Sequence, residues 1–157
     1  MRSLLLATAA LALAGCADLK PVKAYTGADR PDAELAILQS EFVRDLHKSS
    51  DIEIDVLDGV NYGQRKYAAK ILPGKHRAGL RHLLQYGSEK QQRFCSFEFD
   101  ALAGCTFVPH PPESNATFAA ARAPDWRESF FMPVSVRCTN LAYEARVATE
   151  CANRKLW

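Results

Sequence analysis

The chain contains no Cys-x-x-Cys pair, no Gly-x-Ser-x-Gly elbow and no phosphate-binding glycine loop. Structural zinc sites favour close cysteine pairs, serine hydrolases of the elbow type need the strained turn, and nucleotide sites of the P-loop kind need the glycines. Those three chemistries are therefore excluded as they usually appear. No apolar run reaches the roughly 20 residues that cross a bilayer, because the stretch near the start is broken by Asp18 and Lys20. Charge of one sign is also missing. Twenty Lys and Arg stand against 18 Asp and Glu, a formal net charge of +2, and no clustered basic face points to a nucleic-acid partner. At 48% hydrophobic residues over 157 positions, the chain is too apolar for disorder and long enough for one modest core.

What is present begins with Arg2, followed by a Leu- and Ala-rich stretch that ends in Leu13-Ala14-Gly15-Cys16. A short apolar region followed by small residues describes an ordinary secretory signal. With a cysteine in the last place, the four residues resemble the lipobox of bacterial lipoproteins. That resemblance implies cleavage after residue 15, acylation of Cys16 and export from the cytoplasm. Each buried methylene of an acyl chain contributes about 0.8 kcal/mol, so several chains together hold firmly. Ala17 follows the cysteine where an aspartate would favour inner-membrane retention in such lipoproteins, so the resemblance implies the outer membrane, facing the periplasm. Three segments are expected: a signal peptide over residues 1–15, a lipidated Cys16 with a flexible tether over 16–31, and a single β-rich domain over 32–157. The tether reading rests on two prolines, a glycine and scattered charges.

Four further cysteines, Cys95, Cys105, Cys138 and Cys151, form an even set. In an oxidising compartment that predicts two disulfides, with three connectivities open. Cys95 and Cys105 flank a predicted hairpin, in which strands 93–100 and 105–109 are joined through Ala101-Leu102-Ala103-Gly104. If Phe99 faces Cys105, Cys95 lies four residues further along that face, beyond the roughly 7 Å that a disulfide tolerates. Either the hairpin is bulged, or bonds run from Cys95 and Cys105 to Cys138 and Cys151. Closeness in sequence favours Cys95 with Cys105 and Cys138 with Cys151, and the pairing stays open at this point.

Residues 32–48 place Leu35, Leu38, Phe42 and Leu46 at spacings of three and four, which predicts a short helix, with a strand over residues 34–38 as the rival. Asp51-Ile52-Glu53-Ile54-Asp55-Val56 alternates acid and aliphatic side chains, predicting a strand with a wet acidic face and a buried one. Asp58-Gly59 supplies a turn. Further strands are expected around 65–72, then from His76 with Ala78, Leu80, His82, Leu84 and Tyr86 on one face and Lys75, Arg77, Arg81 and Gln85 on the other. Residues 130–137 form the next candidate, and residues 141–151 a strand or short helix. Short strands separated by turns describe a mainly β fold, a small antiparallel sandwich or barrel.

Asp55-Val56-Leu57-Asp58-Gly59, Ile71-Leu72-Pro73-Gly74-Lys75-His76 and Tyr86-Gly87, followed by the hairpin from Phe97 to Phe107, resemble PEGA-type domains and related envelope lipoproteins. The resemblance covers residues 52–107. It implies a compact antiparallel β-sandwich of the PEGA or immunoglobulin-like kind, with no known enzymatic activity.

No catalytic residues, metal ligands or cofactor emerge. His76 and His82 are six residues apart on one strand, about 20 Å at 3.3 Å per residue, too far to share an ion with His47 or His110. His76 is read as ordering its Pro-Gly turn and His82 as packing in or beside the core. Asp51, Glu53 and Asp55 are read as a solvated face, since calcium needs six to eight oxygens from converging loops. Trp126 and Trp157 are read as packed, although tryptophan is also enriched at interfaces. The expectation is a non-enzymatic lipoprotein held at the membrane by Cys16, offering a sheet face or edge to other envelope proteins. A periplasmic glycan or small-molecule binding module is the alternative.

Overall fold

Backbone pairing on both edges, rather than side-chain periodicity, organises this chain. In the structure, a computed structural model, residues 20–44, 48–63, 66–111, 121 and 123–153 are described. The strands are β1 Val22–Lys23, β2 Ala36–Gln39, β3 Phe42–Arg44, β4 Lys48–Leu57, β5 Val60–Asn61, β6 Ala68–Ile71, β7 Gly74–Tyr86, β8 Glu89–Ala101, β9 Thr106–Pro109, β10 Arg127–Cys138 and β11 Leu141–Ala152. They form one sheet in the order β1-β6-β2-β9-β10-β11-β8-β7-β4-β3, with β5 beside β4. The fold is mainly β, as the strand pattern predicts. Only Ser40 and Glu41 separate β2 from β3, yet the two strands stand toward opposite ends of this path. The sheet therefore curls over, and its two halves pack face to face around one core.

That core takes Leu38, Ala69 and Ile71 from one half and Ile52, Ile54, Leu57, Leu80, Phe97 and Phe99 from the other, with Phe107, Met132, Val134 and Val136 between them. The rings of Phe97, Phe99 and Phe107 meet at centroid distances of 5.4 and 5.3 Å. The even residues of β4 point inward only as far as Ile54. A bulge between Ile54 and Val56 shifts the register against β7, so Leu57 takes the next core position in place of Val56. One extra residue in a strand has this effect on every side chain that follows. At the end of β4, Asp58 and Gly59 adopt φ of 50° and 81°, the positive pair that a two-residue hairpin requires.

Three expectations are corrected. No α-helix covers residues 32–48: a 3₁₀ turn at Asp32–Glu34 leads into β2 and β3. Strand β2 pairs with β6 on one edge and β9 on the other, and two ladders outweigh a weak helical period. Leu35 and Leu38 are buried, whereas Phe42 is exposed. The tether does not run to residue 31, because β1 pairs in parallel with β6, and Lys23 binds the Gly27 carbonyl and the Asp29 carboxylate at 2.6 and 2.8 Å. Nor do β8 and β9 form a hairpin. β8 lies between β7 and β11, and β9 between β2 and β10, so Cys95 and Cys105 belong to different neighbours.

The disulfides follow from this order. Cys95 pairs with Cys151 and Cys105 with Cys138, at Cα separations of 4.1 and 4.2 Å. Of the three connectivities left open by the sequence, the one favoured by sequence proximity is not formed. The loops closed span 56 and 33 residues, for which chain entropy gives roughly 4 kcal/mol each. Non-reducing peptide mapping is expected to recover these two linked pairs, and the Cys95→Ser/Cys151→Ser variant to melt well below the parent in calorimetry. An unchanged melting temperature would refute the bracing role.

Candidate interaction edge

The acidic face of β4 is not solvated. Glu53 and Asp55 are 4% and 3% exposed, and Arg81, directly opposite Glu53 on β7, reaches Glu53 at 2.7 Å and Asp55 at 4.0 Å. Residues 61–63 cover the cluster: Arg81 Nη2 donates to the Gly63 carbonyl, and the Tyr62 amide to the Asp55 carbonyl. Buried charges need such partners because desolvation costs several kcal/mol per ion. The cluster is a brace, closed to a ligand by its own ion pair.

The histidines are engaged separately. His76 Nδ1 bonds Asp58 at 2.6 Å and Nε2 the Leu72 carbonyl at 2.7 Å, joining two turns. His82 is buried on the core face opposite Arg93, with Nε2 2.7 Å from Ser50 Oγ. His47, Cys16 and Trp157 lie outside the described residues. Trp126 packs on the Cys95–Cys151 disulfide, beneath the Arg93 guanidinium 5.0 Å from its ring. Burial lowers the Arg93 pKa, partly offset by Glu128. Its Nη2 donates to Gln91 at 3.0 Å.

Nothing in the sequence pattern announces His110 as a bridge. It lies between Glu41 (Nδ1, 2.7 Å) and Ser135 (Nε2, 2.6 Å), the order of a nucleophile, its base and an orienting carboxylate. Yet Ser135 sits mid-strand in β10 with ladders to β9 and β11 on both sides, and the His110 amide donates to Pro133. With those amides spent, the described backbone offers no donor beside Oγ to stabilise an oxyanion. The bridge instead ties the β2–β3 break to β10.

The feature left open is an edge. β11 pairs with β10 along its whole length, but with β8 only through residues 149–152. Residues 141–148 thus have one unpaired side among the described residues. Leu141, Ala142, Tyr143, Glu144, Arg146 and Ala148 are exposed, and Ala145 and Val147 are half-buried. Two observations tell which backbone groups face outward. The 4.1 Å Cα separation of Cys95 and Cys151 is that of a non-hydrogen-bonded pair, so Cys151 turns its amide and carbonyl to β10, away from β8. The Pro133 carbonyl accepts from His110 on the β9 side, so its partner Arg146 directs its own groups away from β10. Among the described residues, Ala142, Glu144 and Arg146 therefore present unpaired N–H and C=O groups, whereas the narrow Thr149–Phe97 pair engages the Ala148 carbonyl with β8. A strand over 141–151 is legible in the sequence, but the loss of its neighbour at residue 149 is not.

Comparison with known proteins finds no matching family model, no matching curated protein and no matching solved structure.

The ion pair gives a direct test. Arg81→Met leaves Glu53 buried without a cation and is expected to lose about 3–5 kcal/mol of unfolding free energy. Adding Glu53→Gln to it is expected to recover part of that loss in denaturant titrations. A single variant as stable as the parent would contradict the brace.

Proposed function

We propose that the protein is a non-enzymatic lipoprotein of the cell envelope, anchored by acylated Cys16 at the outer membrane and facing the periplasm, which binds other envelope proteins through the free edge of β11. The unpaired side of residues 141–148 carries this reading. An open edge is a template for an added strand, in which backbone hydrogen bonds provide affinity and alternate side chains provide selectivity. Natural edges are usually guarded by Lys, Pro or a bulge, and this segment contains neither Lys nor Pro.

Support for the location comes from the Leu13-Ala14-Gly15-Cys16 run and from two disulfides, which belong to oxidising compartments. Residue 22 already lies in the sheet, so residues 17–21, at most about 18 Å when extended, separate the anchor from the fold. A short link on a membrane raises the effective concentration of neighbours, and a weak contact then suffices.

The experiment combines mass spectrometry with crosslinking. The mature amino terminus is expected to be acylated Cys16, and Cys16→Ser to release the protein from the membrane fraction. Glu144→Pro removes an outward amide while sparing the ladder to β10, so it should leave the fold intact but abolish crosslinks from a photoreactive residue at position 142. A soluble native product without acylation would refute the anchor, and crosslinks that survive Glu144→Pro would refute the edge.

The glycan or small-molecule reading is favoured by one feature, a groove of about 550 Å³ where Phe131 stands beside Ser96, Ser129, Glu98 and Arg77. Phe131 is 62% exposed, and an aromatic ring among polar groups suits a sugar face. Retention of the protein on an immobilised periplasmic glycan, lost in Phe131→Ala, would support this reading. Equal retention of both proteins would oppose it.

A further inference from the structure

We infer that the strand which completes this edge is β11 of a second copy of the chain, paired antiparallel about a two-fold axis at Ala145. The inference rests on the proposal that the β11 edge is the functional surface. Two identical edges can meet only antiparallel if they are to form a closed, symmetric pair, and the sequence of the edge then selects the register. With Ala145 facing Ala145 of the second copy, Glu144 lies opposite Arg146 and Arg146 opposite Glu144, while Tyr143 lies opposite Val147.

Each pair is complementary. The residues that meet at hydrogen-bonded positions on either side of the axis are Glu144 and Arg146, whose backbone groups point outward, and each such pair exchanges two hydrogen bonds. Opposite charges directly across a ladder stabilise it, and like charges destabilise it. Shifting the register by two residues in one direction sets Glu144 against itself, and in the other sets Arg146 against itself. The two charges therefore admit the central register and oppose both neighbours, which is how an edge is made selective. On the opposite face, Tyr143 is 41% exposed beside half-buried Val147, and the pairing gives the ring an aliphatic partner. In this register the second copy's Leu141 comes level with Thr149, where β8 is already paired, so the ladder between the copies spans residues 143–147.

Ala145 supplies the test. It lies at a non-hydrogen-bonded position, where facing Cα atoms come within about 4.5 Å, a distance a disulfide accepts. The full-length protein carrying Ala145→Cys is expected to form a covalent dimer in its membrane under mild oxidation. Tyr143→Cys alone is not, because its own copy lies far across the axis, whereas a mixture of Tyr143→Cys and Val147→Cys is. Peptide mapping checks that the Cys95–Cys151 and Cys105–Cys138 bonds persist in each variant. Without any added cysteine, Glu144→Arg or Arg146→Glu is expected to weaken dimerisation by about tenfold in sedimentation of the detergent-solubilised protein, and the double reversal to restore it. A monomeric Ala145→Cys protein, or single reversals without effect, would overturn self-pairing. If the Glu144→Pro variant still loses its crosslinks in that case, the edge remains the interaction surface and only its occupant is wrong. If crosslinks persist as well, the edge reading itself falls.

Discussion

The place where β11 parts from β8 determines what this molecule offers to its surroundings. The Cys95–Cys151 bond joins the two strands across a narrow pair, with Trp126 and Ala121 packed against it. Pairing between β8 and β11 reaches Phe97 and Thr149 and goes no further, while β8 continues along β7 to Ala101. From that point one strand stays with the curled sheet, and the other carries its second edge into solvent. The same bond sets the phase of the ladder, because a narrow pair on the β8 side sends every odd residue's backbone groups toward β10. Which residues of the exposed segment can bond a newcomer is thus fixed by a covalent link several residues away.

The second constraint is the bulge in β4. Without it, the alternation begun at Ile52 would keep Val56 in the core and turn Leu57 outward. The extra residue instead brings Leu57 inward, and it leaves Glu53 and Asp55 under residues 61–63 with Arg81 as their counter-ion. A buried ion pair of this kind gains little net stability over an apolar substitute, but removing one partner is costly. Its value here is to specify register: a slip of β4 against β7 would leave carboxylates buried without a cation. At the other flank, the Glu41–His110–Ser135 bridge holds the break between β2 and β3, at which a single segment passes from one half of the sheet to the other.

Much of the strand content was legible from residues. Acid and aliphatic alternation over 51–56, the Asp58-Gly59 turn and the inward run of Ala78, Leu80 and His82 all mark real elements, because local alternation and turn chemistry depend on near neighbours. Legibility ended where a neighbour distant in sequence decided the outcome. Residues 32–48 have a helical period yet form strands, because β6 and β9 stand ready on both sides of β2. The acids of β4 look solvated until the loop that covers them is placed. Cys95 and Cys105 look like partners until β8 and β9 are seen to pair elsewhere.

By itself, the sequence determined composition, turns and an even set of cysteines, all of which are local or countable. Tertiary structure alone decided which cysteines meet, which charges are buried and which edge is left open. The physical reason is that a strand's edge is a property of its neighbours. The same residues 141–148 would be interior had β8 followed them eight residues further, and no residue within the segment records that it does not.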